Sequence, residues 1–222
     1  MKRNLPLIII FAVVVLGLGA GVVLYRTMKP TTATPPNGPK ANMPPPLPGA
    51  DPPHARGGAG ATVTVEEFGD FECPPCGALH PELLKIEKEY GDRVRVVFRE
   101  YPLEMHKYAY DAARAAEAAG MQDKFWEMHD LLYEKKEEWS VSLEPRALFV
   151  EYAKFLGMNG ERFVADMSGG MAAMRVGLDM RRGKSMGVLG TPTLFINGKL
   201  IDAKDVTPEG LRLAINSALK EK

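Results

Sequence analysis

Two stretches of the chain alternate apolar and polar residues in the manner of β-strands. Residues 62–68 read Thr-Val-Thr-Val-Glu-Glu-Phe, and residues 94–100 read Val-Arg-Val-Val-Phe-Arg-Glu. β-branched residues of this kind favour a pleated strand. Between the two stretches, a Pro-Pro pair at 74–75 is typical of a helix start, and we predict a helix from there to about Tyr90. The pattern therefore predicts a parallel βαβ unit.

The spacing of apolar residues becomes helical from about residue 106 to residue 182. Three segments show it most clearly: 108–119, 124–133 and 145–156. We expect Gly120, Gly157 and Gly183 to end helices, since glycine is favoured just past a helix C-terminus. The apolar stripes on these helices are interpreted as core and not as cofactor contacts.

The last part of the chain returns to strands. Thr191-Pro192 precedes a short apolar run at 193–196, and Asn197-Gly198 is a strong hairpin turn signal before a return strand at 199–202. A final helix should begin with Thr207 as its cap and Pro208 as its first residue. The predicted order is β-α-β, a helical block, then β-β-α.

The N-terminal quarter of the chain is not expected to be globular. Residues 1–4 form a short basic start, and residues 5–25 are apolar and uncharged over a length that would cross a bilayer. We predict an uncleaved membrane anchor there, with a cleaved signal peptide as the alternative. Residues 26–61 are rich in proline and are predicted to be a disordered linker. The globular domain would then occupy residues 62–222.

Charge narrows the range of partners. The chain has 28 Lys+Arg and 28 Asp+Glu, and within residues 62–222 the counts are 22 and 27. The acidic residues are dispersed and no basic stripe is present, so nucleic acid is not an expected partner. A Gly-rich phosphate loop is also missing from the sequence, and no cofactor is predicted.

The chemistry is expected at the two cysteines, Cys73 and Cys76, which are the only ones in the chain. A Cys-x-x-Cys pair at a helix N-terminus favours a thiolate, the form that attacks disulfides. A structural disulfide is the first alternative, although so small a loop constrains the unfolded chain little. The second is a zinc site completed by His80 or His106, which lacks the second cysteine pair usual in structural zinc sites. We predict redox function and no metal.

The chain resembles the DsbA-like branch of the thioredoxin superfamily in three stretches. These are FGDFECPPC at 68–76, DKFWEMHDLLYE at 123–134 and GVLGTPTLFINGKLI at 187–201. The resemblance implies an α/β thioredoxin fold over residues 62–222 with a helical domain inserted at about 106–182. One N-terminal transmembrane helix would precede it.

The resemblance also implies a role for each site residue. Cys73 would be the exposed nucleophile and Cys76 the buried resolving thiol. Thr191 and Pro192 would form the cis-proline loop that packs against the pair. Glu67 would be a buried acid that moves protons to the resolving cysteine, although a surface carboxylate is the alternative because acidic residues are mostly exposed. The two prolines between the cysteines offer no anion-stabilising histidine, so we expect a Cys73 pKa below about 8.5 and above about 3.5.

The function that follows is thiol–disulfide exchange with unfolded or partly folded secreted proteins. The protein would be a monomer in the cell membrane, with its catalytic domain on the extracytoplasmic (periplasmic) side. The family implies a quinone-linked membrane partner if the chain acts as an oxidant. A reductase or isomerase of the same fold is one alternative. A non-catalytic peptide-binding or chaperone module is the other.

Overall fold

The computed structural model describes residues 45–221. The predicted cytoplasmic start at 1–4, the anchor at 5–25 and the linker as far as residue 44 lie outside the described residues. Among residues 45–221, no helix has both the length and the apolar character needed to cross a membrane.

The described residues form a five-stranded sheet. Its strands, in chain order, are β1 (His54–Gly57), β2 (Val63–Gly69), β3 (Val94–Glu100), β4 (Thr193–Ile196) and β5 (Lys199–Leu200). The spatial order is β1-β3-β2-β4-β5, with β2 and β3 parallel and the other pairs antiparallel. The parallel pairing confirms the predicted βαβ unit. Its register places Glu67 opposite Phe98 and Gly69 opposite Glu100.

Helices cover the sheet and fill the segment between β3 and β4. In chain order they are α1 (Pro74–Tyr90), α2 (Ala109–Gly120), α3 (Phe125–Glu134), α4 (Lys136–Trp139), α5 (Pro145–Phe155), α6 (Gly160–Ser168), α7 (Gly170–Ser185) and α8 (Pro208–Lys220). Helices α2 to α7 form the helical insertion. The mixed α/β fold with this insertion agrees with the prediction.

The folded domain begins before residue 62, inside the segment that the sequence predicts to be a disordered linker. Ala50 is buried, and β1 pairs with β3 along the edge of the sheet. Strand β1 reads His-Ala-Arg-Gly and has no apolar alternation. It is held largely by polar side chains: Arg56 binds Glu87 and Asp130, and His54 binds Glu117. The strand rules of sequence analysis do not detect such a strand.

Most of the residues predicted to form the hairpin turn or to begin or end a helix do so. Asn197 and Gly198 both have positive φ, as the hairpin turn requires, and the Thr207 side chain caps α8. The prediction for Gly183 was wrong, since this glycine lies inside α7. A Cβ there would lie 2.6 Å from the Tyr101 ring, so Gly183 allows close packing and does not end a helix. Gly187, with φ of 78°, follows the end of α7.

The two faces of the sheet have different surroundings. Val65, on the same face as Glu67, packs against α1 and α8, and Phe98 on that face packs against the helical insertion. The opposite face carries Glu66 and Phe68 and lies against the end of α7. Strand β2 is thus buried on both sides at the point where it leads to the cysteines.

Candidate active site

The chain turns sharply between the end of β2 and the start of α1, and this turn presents the cysteines. The carbonyl of Asp70 accepts a hydrogen bond from the Cys73 backbone N–H at 3.2 Å. The carboxylate of Asp70 accepts one from the Glu72 N–H at 2.7 Å. Cys73 occupies the N-cap of α1, and Pro74 and Pro75 follow as its first residues. Proline is suited to this place because the first N–H groups of a helix lack intrahelical partners.

Cys73 is covered and not exposed, contrary to the prediction. Its side chain and backbone together are 3 % exposed. The thiol donates a hydrogen bond to the Thr191 carbonyl at 3.3 Å, so the loop before β4 covers the sulfur. Sequence position alone could not reveal this, because the loop arrives from more than a hundred residues further along the chain.

The pKa of Cys73 is lowered from its ordinary value to about 6. A hydrogen bond from the Cys76 side chain is the main cause, burial opposes it, and the Thr191 side chain lowers the pKa further. This value lies within the predicted range. At neutral pH, Cys73 is therefore mostly a thiolate.

Cys76 has the opposite character. It is fully buried, and both cysteines are free thiols in this structure. Burial raises the pKa of Cys76 far above its ordinary value, and the neighbouring Cys73 and Glu67 raise it further. The first cysteine is thus prepared to attack, and the second holds its proton.

The Thr191–Pro192 peptide bond is cis, as the resemblance implied. The loop lies directly before β4, which pairs with β2, and this pairing brings the loop to the cysteines. A cleft of about 480 Å³ opens beside it. Its lining is mainly apolar and includes Pro75, Leu79, Pro192 and Val206. Through Pro75 the cleft lies against the first turn of α1, which carries the pair.

Glu67 is buried, so the alternative of a surface carboxylate was wrong. It is 2 % exposed, and its Oε1 has no hydrogen-bond partner among the described residues. Burial raises the pKa of Glu67 to about 8, with Arg56 lowering it and Cys73 raising it. The carboxyl group is therefore mostly neutral at pH 7 and able to donate a proton.

Sequence analysis missed the loop after β3, whose residues hold the turn between β2 and α1 in place. Asp70 Oδ2 accepts hydrogen bonds from the Leu103 N–H and lies 2.8 Å from His106 Nδ1. Glu72 Oε2 accepts a hydrogen bond from the Tyr108 N–H at 2.6 Å. His106 is thus one of the polar contacts that hold the Asp70 carboxylate in place. The signal was the pair of acids flanking Phe71, which sequence analysis left without a role.

One group of side chains within the described residues has the spacing of metal ligands. His80, His129 and Asp130 bring one ligand atom each within 4.8 Å of one another. Asp130 already accepts two hydrogen bonds from Arg56 Nη1, each 2.9 Å long. Asp130 is thus already engaged by Arg56, whereas the buried Nε2 of His129 has no hydrogen-bond partner among the described residues. Neither cysteine belongs to this group.

The sheet order, the cysteine pair at the start of α1 and the facing cis-proline loop together define a thioredoxin-type fold with a helical insertion. A family model described as "Thioredoxin" matches residues 50–217. The chain belongs to this family.

Solved structures support the same assignment. Oxidised BdbD from Bacillus subtilis is 27 % identical, with a TM-score of 0.66, over 79 % of this chain and 98 % of that one. A thioredoxin-like oxidoreductase from Silicibacter pomeroyi DSS-3 is also 27 % identical, with a TM-score of 0.65, over 77 % of this chain and 94 % of that one. These likenesses support a thiol–disulfide oxidoreductase in general terms.

Part of a longer curated protein, which is named as an antiporter, is also similar to this chain. The Na(+)/H(+) antiporter NhaA 1 of Salinispora arenicola is 42 % identical over 147 residues, which are 66 % of this chain and 22 % of that protein. This chain therefore spans about a fifth of its relative. That name is given to the whole of the longer protein.

Proposed function

We propose that the chain exchanges disulfides with extracytoplasmic protein substrates through Cys73 and Cys76. The observation that supports this most is the contrast between the two thiols. Cys73 has a pKa of about 6 and lies at the cis-proline loop, whereas Cys76 is fully buried with a raised pKa. A low-pKa thiol that attacks and a buried thiol that resolves are the parts that thiol–disulfide exchange needs.

When the enzyme acts as an oxidant, the reaction begins from the Cys73–Cys76 disulfide. A substrate thiolate attacks Cys73 Sγ, a mixed disulfide forms, and Cys76 leaves as a thiolate. Because Cys76 is buried, its thiolate takes up a proton, and Glu67 is the buried acid in a position to supply it. A second substrate thiolate then attacks the substrate sulfur of the mixed disulfide and releases Cys73 as a thiolate.

The substrates we propose are unfolded or partly folded secreted proteins, since such chains can lie extended along the cleft beside Pro192. The apolar segment 5–25 supports a membrane anchor with the domain on the extracytoplasmic side, where disulfides persist. Reoxidation requires an electron acceptor, for which we propose a quinone-linked membrane protein. The direction of electron flow follows from the reduction potential. We expect it between about −270 and −120 mV, with a value near the lower limit favouring the reductase alternative.

Two substitutions in the full chain test the exchange. Cys73→Ser should abolish reduction of a disulfide-bonded substrate, because the attacking sulfur is gone. Cys76→Ser should instead accumulate a mixed disulfide between Cys73 and the substrate, since the resolving thiol is missing. Alkylation followed by mass measurement reads both results. If Cys73→Ser retained full effect on the substrate, the peptide-binding alternative would replace the enzyme.

A further inference from the structure

The loop that joins β3 to α2, residues 101–108, lies beside the turn that carries the first cysteine. We name these two segments the β3–α2 loop and the cysteine turn, residues 69–73. Polar contacts of 2.6 to 2.8 Å join them, from the Tyr101 N–H to the Gly69 carbonyl, from the Leu103 N–H and His106 Nδ1 to the Asp70 carboxylate, and from the Tyr108 N–H to the Glu72 carboxylate. The β3–α2 loop therefore holds the residues that lead directly to Cys73.

Asp70 connects the β3–α2 loop to the cysteine through both its side chain and its backbone. Its carboxylate is fully buried, and Oδ2 meets both the Leu103 N–H and the His106 ring. The His106 N–H also donates a hydrogen bond of 3.0 Å to the Leu103 carbonyl, which closes this part of the loop as a turn. The Asp70 carbonyl in turn accepts the Cys73 N–H. A displacement of Asp70 is therefore passed directly to Cys73.

The β3–α2 loop also contacts the segment that leads to the cis-proline loop. The Tyr101 hydroxyl donates a hydrogen bond of 2.9 Å to the Val188 carbonyl, three residues before Thr191. Leu103 packs on the apolar cluster to which Tyr101 and Val188 belong. One loop thus holds both segments that meet at the hydrogen bond between the Cys73 sulfur and the Thr191 carbonyl.

The stability of the Cys73 thiolate depends on where the sulfur lies. The Cys76 side chain contributes most to lowering the pKa of Cys73, burial opposes it, and the Thr191 side chain lowers the pKa further. Both favourable contacts are hydrogen bonds, which weaken steeply with distance and misalignment. A cysteine turn that could move would spend part of its time without them, and the thiolate would be less stable.

We propose that His106 and Tyr101 are positioning residues of the exchange reaction. His106 holds the cysteine turn through Asp70, and Tyr101 holds the cis-proline loop through Val188. Together they keep the Cys73 sulfur in the place where its thiolate is stabilised. The inference rests on the proposed function, because that function is the reaction in which this thiolate attacks.

The experiment is a titration of thiolate absorbance in the reduced full chain, which reports the pKa of Cys73. His106→Leu removes the contact with Asp70. His106→Asn keeps a side-chain N–H donor but carries no charge, so it separates the hydrogen bond from the charge of a protonated histidine. The titratable groups whose charges interact with Cys73, namely Cys76, Asp70 and Glu67, are unchanged in both variants.

His54 of β1 provides a matched control. Its Nε2 lies 2.9 Å from the Glu117 carboxylate, and the two side chains are 17 % and 0 % exposed, against 18 % and 0 % for His106 and Asp70. His54→Leu therefore removes the same kind of histidine–carboxylate pair outside the cysteine turn. Urea denaturation should show comparable losses of stability in His54→Leu and His106→Leu.

We expect the midpoint of His106→Leu to rise by about one pH unit, because the cysteine turn loses a contact that holds it. His106→Asn and His54→Leu should stay within about 0.3 pH unit of the wild type. At pH 7 the equilibrium of His106→Leu with glutathione should also shift about fivefold towards the disulfide, since the reduced form loses thiolate stabilisation.

Tyr101→Phe tests the contact with the cis-proline loop and removes a single hydroxyl group. We expect a smaller rise, about half a pH unit, because the Thr191 side chain lowers the pKa of Cys73 less than the Cys76 side chain does. An unchanged midpoint would overturn the positioning role of Tyr101. This variant decides the inference if His106→Leu does not fold.

Three results would overturn the role of His106. A wild-type midpoint in His106→Leu would show that the contact does not position Cys73. An equal rise in His106→Asn would assign the effect to charge, and an equal rise in His54→Leu would assign it to a general loss of stability. The proposed function fails separately if the reduced wild type titrates near pH 6 but does not exchange with a disulfide-bonded substrate. The comparison of midpoints would still decide the inference in that case.

Discussion

Two adjacent glutamates of β2 point to opposite faces of the sheet and have opposite surroundings. Glu66 is 7 % exposed and accepts hydrogen bonds from Arg99 and Arg182, each 2.8 Å long. Glu67 is 2 % exposed, and its Oε1 has no partner among the described residues. Burial alone would raise both pKa values, but hydrogen bonds from Arg182 and Arg99 lower that of Glu66, whereas that of Glu67 rises to about 8.

The difference shows how two neighbouring residues of one strand take different roles, one structural and one chemical. The paired Glu66 remains charged and fastens α7 to the sheet through Arg182. The unpaired Glu67 remains neutral and is free to exchange a proton with the cysteine pair. Burial is thus common to both residues, and the presence of an arginine partner decides which role each one takes.

The same substitution at both positions should have unequal effects on stability. We expect Glu66→Gln to cost about 3 kcal/mol, because it leaves buried arginines without their charged partner. Glu67→Gln replaces a carboxyl group that must be protonated on folding by an amide that is always neutral, so it should stabilise the protein at neutral pH, by up to about 3 kcal/mol. Urea denaturation at neutral pH measures both changes. Equal losses would show that Glu67 is charged and paired in solution.

A glycine on α7 tests how tightly the Glu66 face is packed. Gly183→Ala would place a Cβ 2.6 Å from the Tyr101 ring, and we expect a loss of about 2 kcal/mol from overpacking. Gly177→Ala on the same helix is the control. Its Cβ would meet only the end of Arg181 at 3.7 Å, so this change should be neutral or stabilise by about 0.5–1 kcal/mol. A neutral result for both would mean that α7 is packed less closely than described.

The pH dependence of stability should differ between the faces. The pKa of Glu67 is about 8 when folded, above its unfolded value of about 4.3, so the folded state binds more protons between these values. Its stabilising contribution is complete below about pH 4 and is lost as the pH rises to 8, at up to about 1.4 kcal/mol per pH unit. Glu66 has a lowered pKa, so its contribution is present at neutral pH and is lost on acidification.

Denaturation of the reduced protein at several pH values measures these slopes. Glu67→Gln should flatten the decline towards pH 8 relative to the wild type. Glu66→Gln should instead reduce the loss of stability that the wild type shows on acidification. A wild-type decline that persists unchanged in Glu67→Gln would contradict a neutral buried carboxyl group.

Much of the fold could be predicted because its signals are local. The parallel unit follows from two alternating segments around a helix, and the hairpin follows from Asn197-Gly198. Strand β1 could not be predicted, since it has no apolar alternation and depends on Arg56 binding acids from α1 and α3. Gly183 looked like a helix end because a close approach to Tyr101 leaves no mark in its own sequence neighbourhood.

The candidate site divides in the same way. The cysteines, the Thr191-Pro192 loop and the burial of Glu67 followed from motifs and from the family resemblance. The covering of Cys73 depends on a loop distant in sequence, and the contact of His106 with Asp70 joins residues that are 36 positions apart. Both features join residues that are far apart in the sequence, so no local sequence pattern predicts them.

The most direct test of the account is a pH titration of thiolate absorbance in the reduced full chain, with Cys73→Ser as its control. We predict one transition with a midpoint near pH 6, absent from the control, while Cys76 stays protonated across the range in which the protein is folded. A midpoint near the free-thiol value of about 8.5 would contradict the account, because Cys73 would then lack the stabilised thiolate on which the exchange chemistry depends.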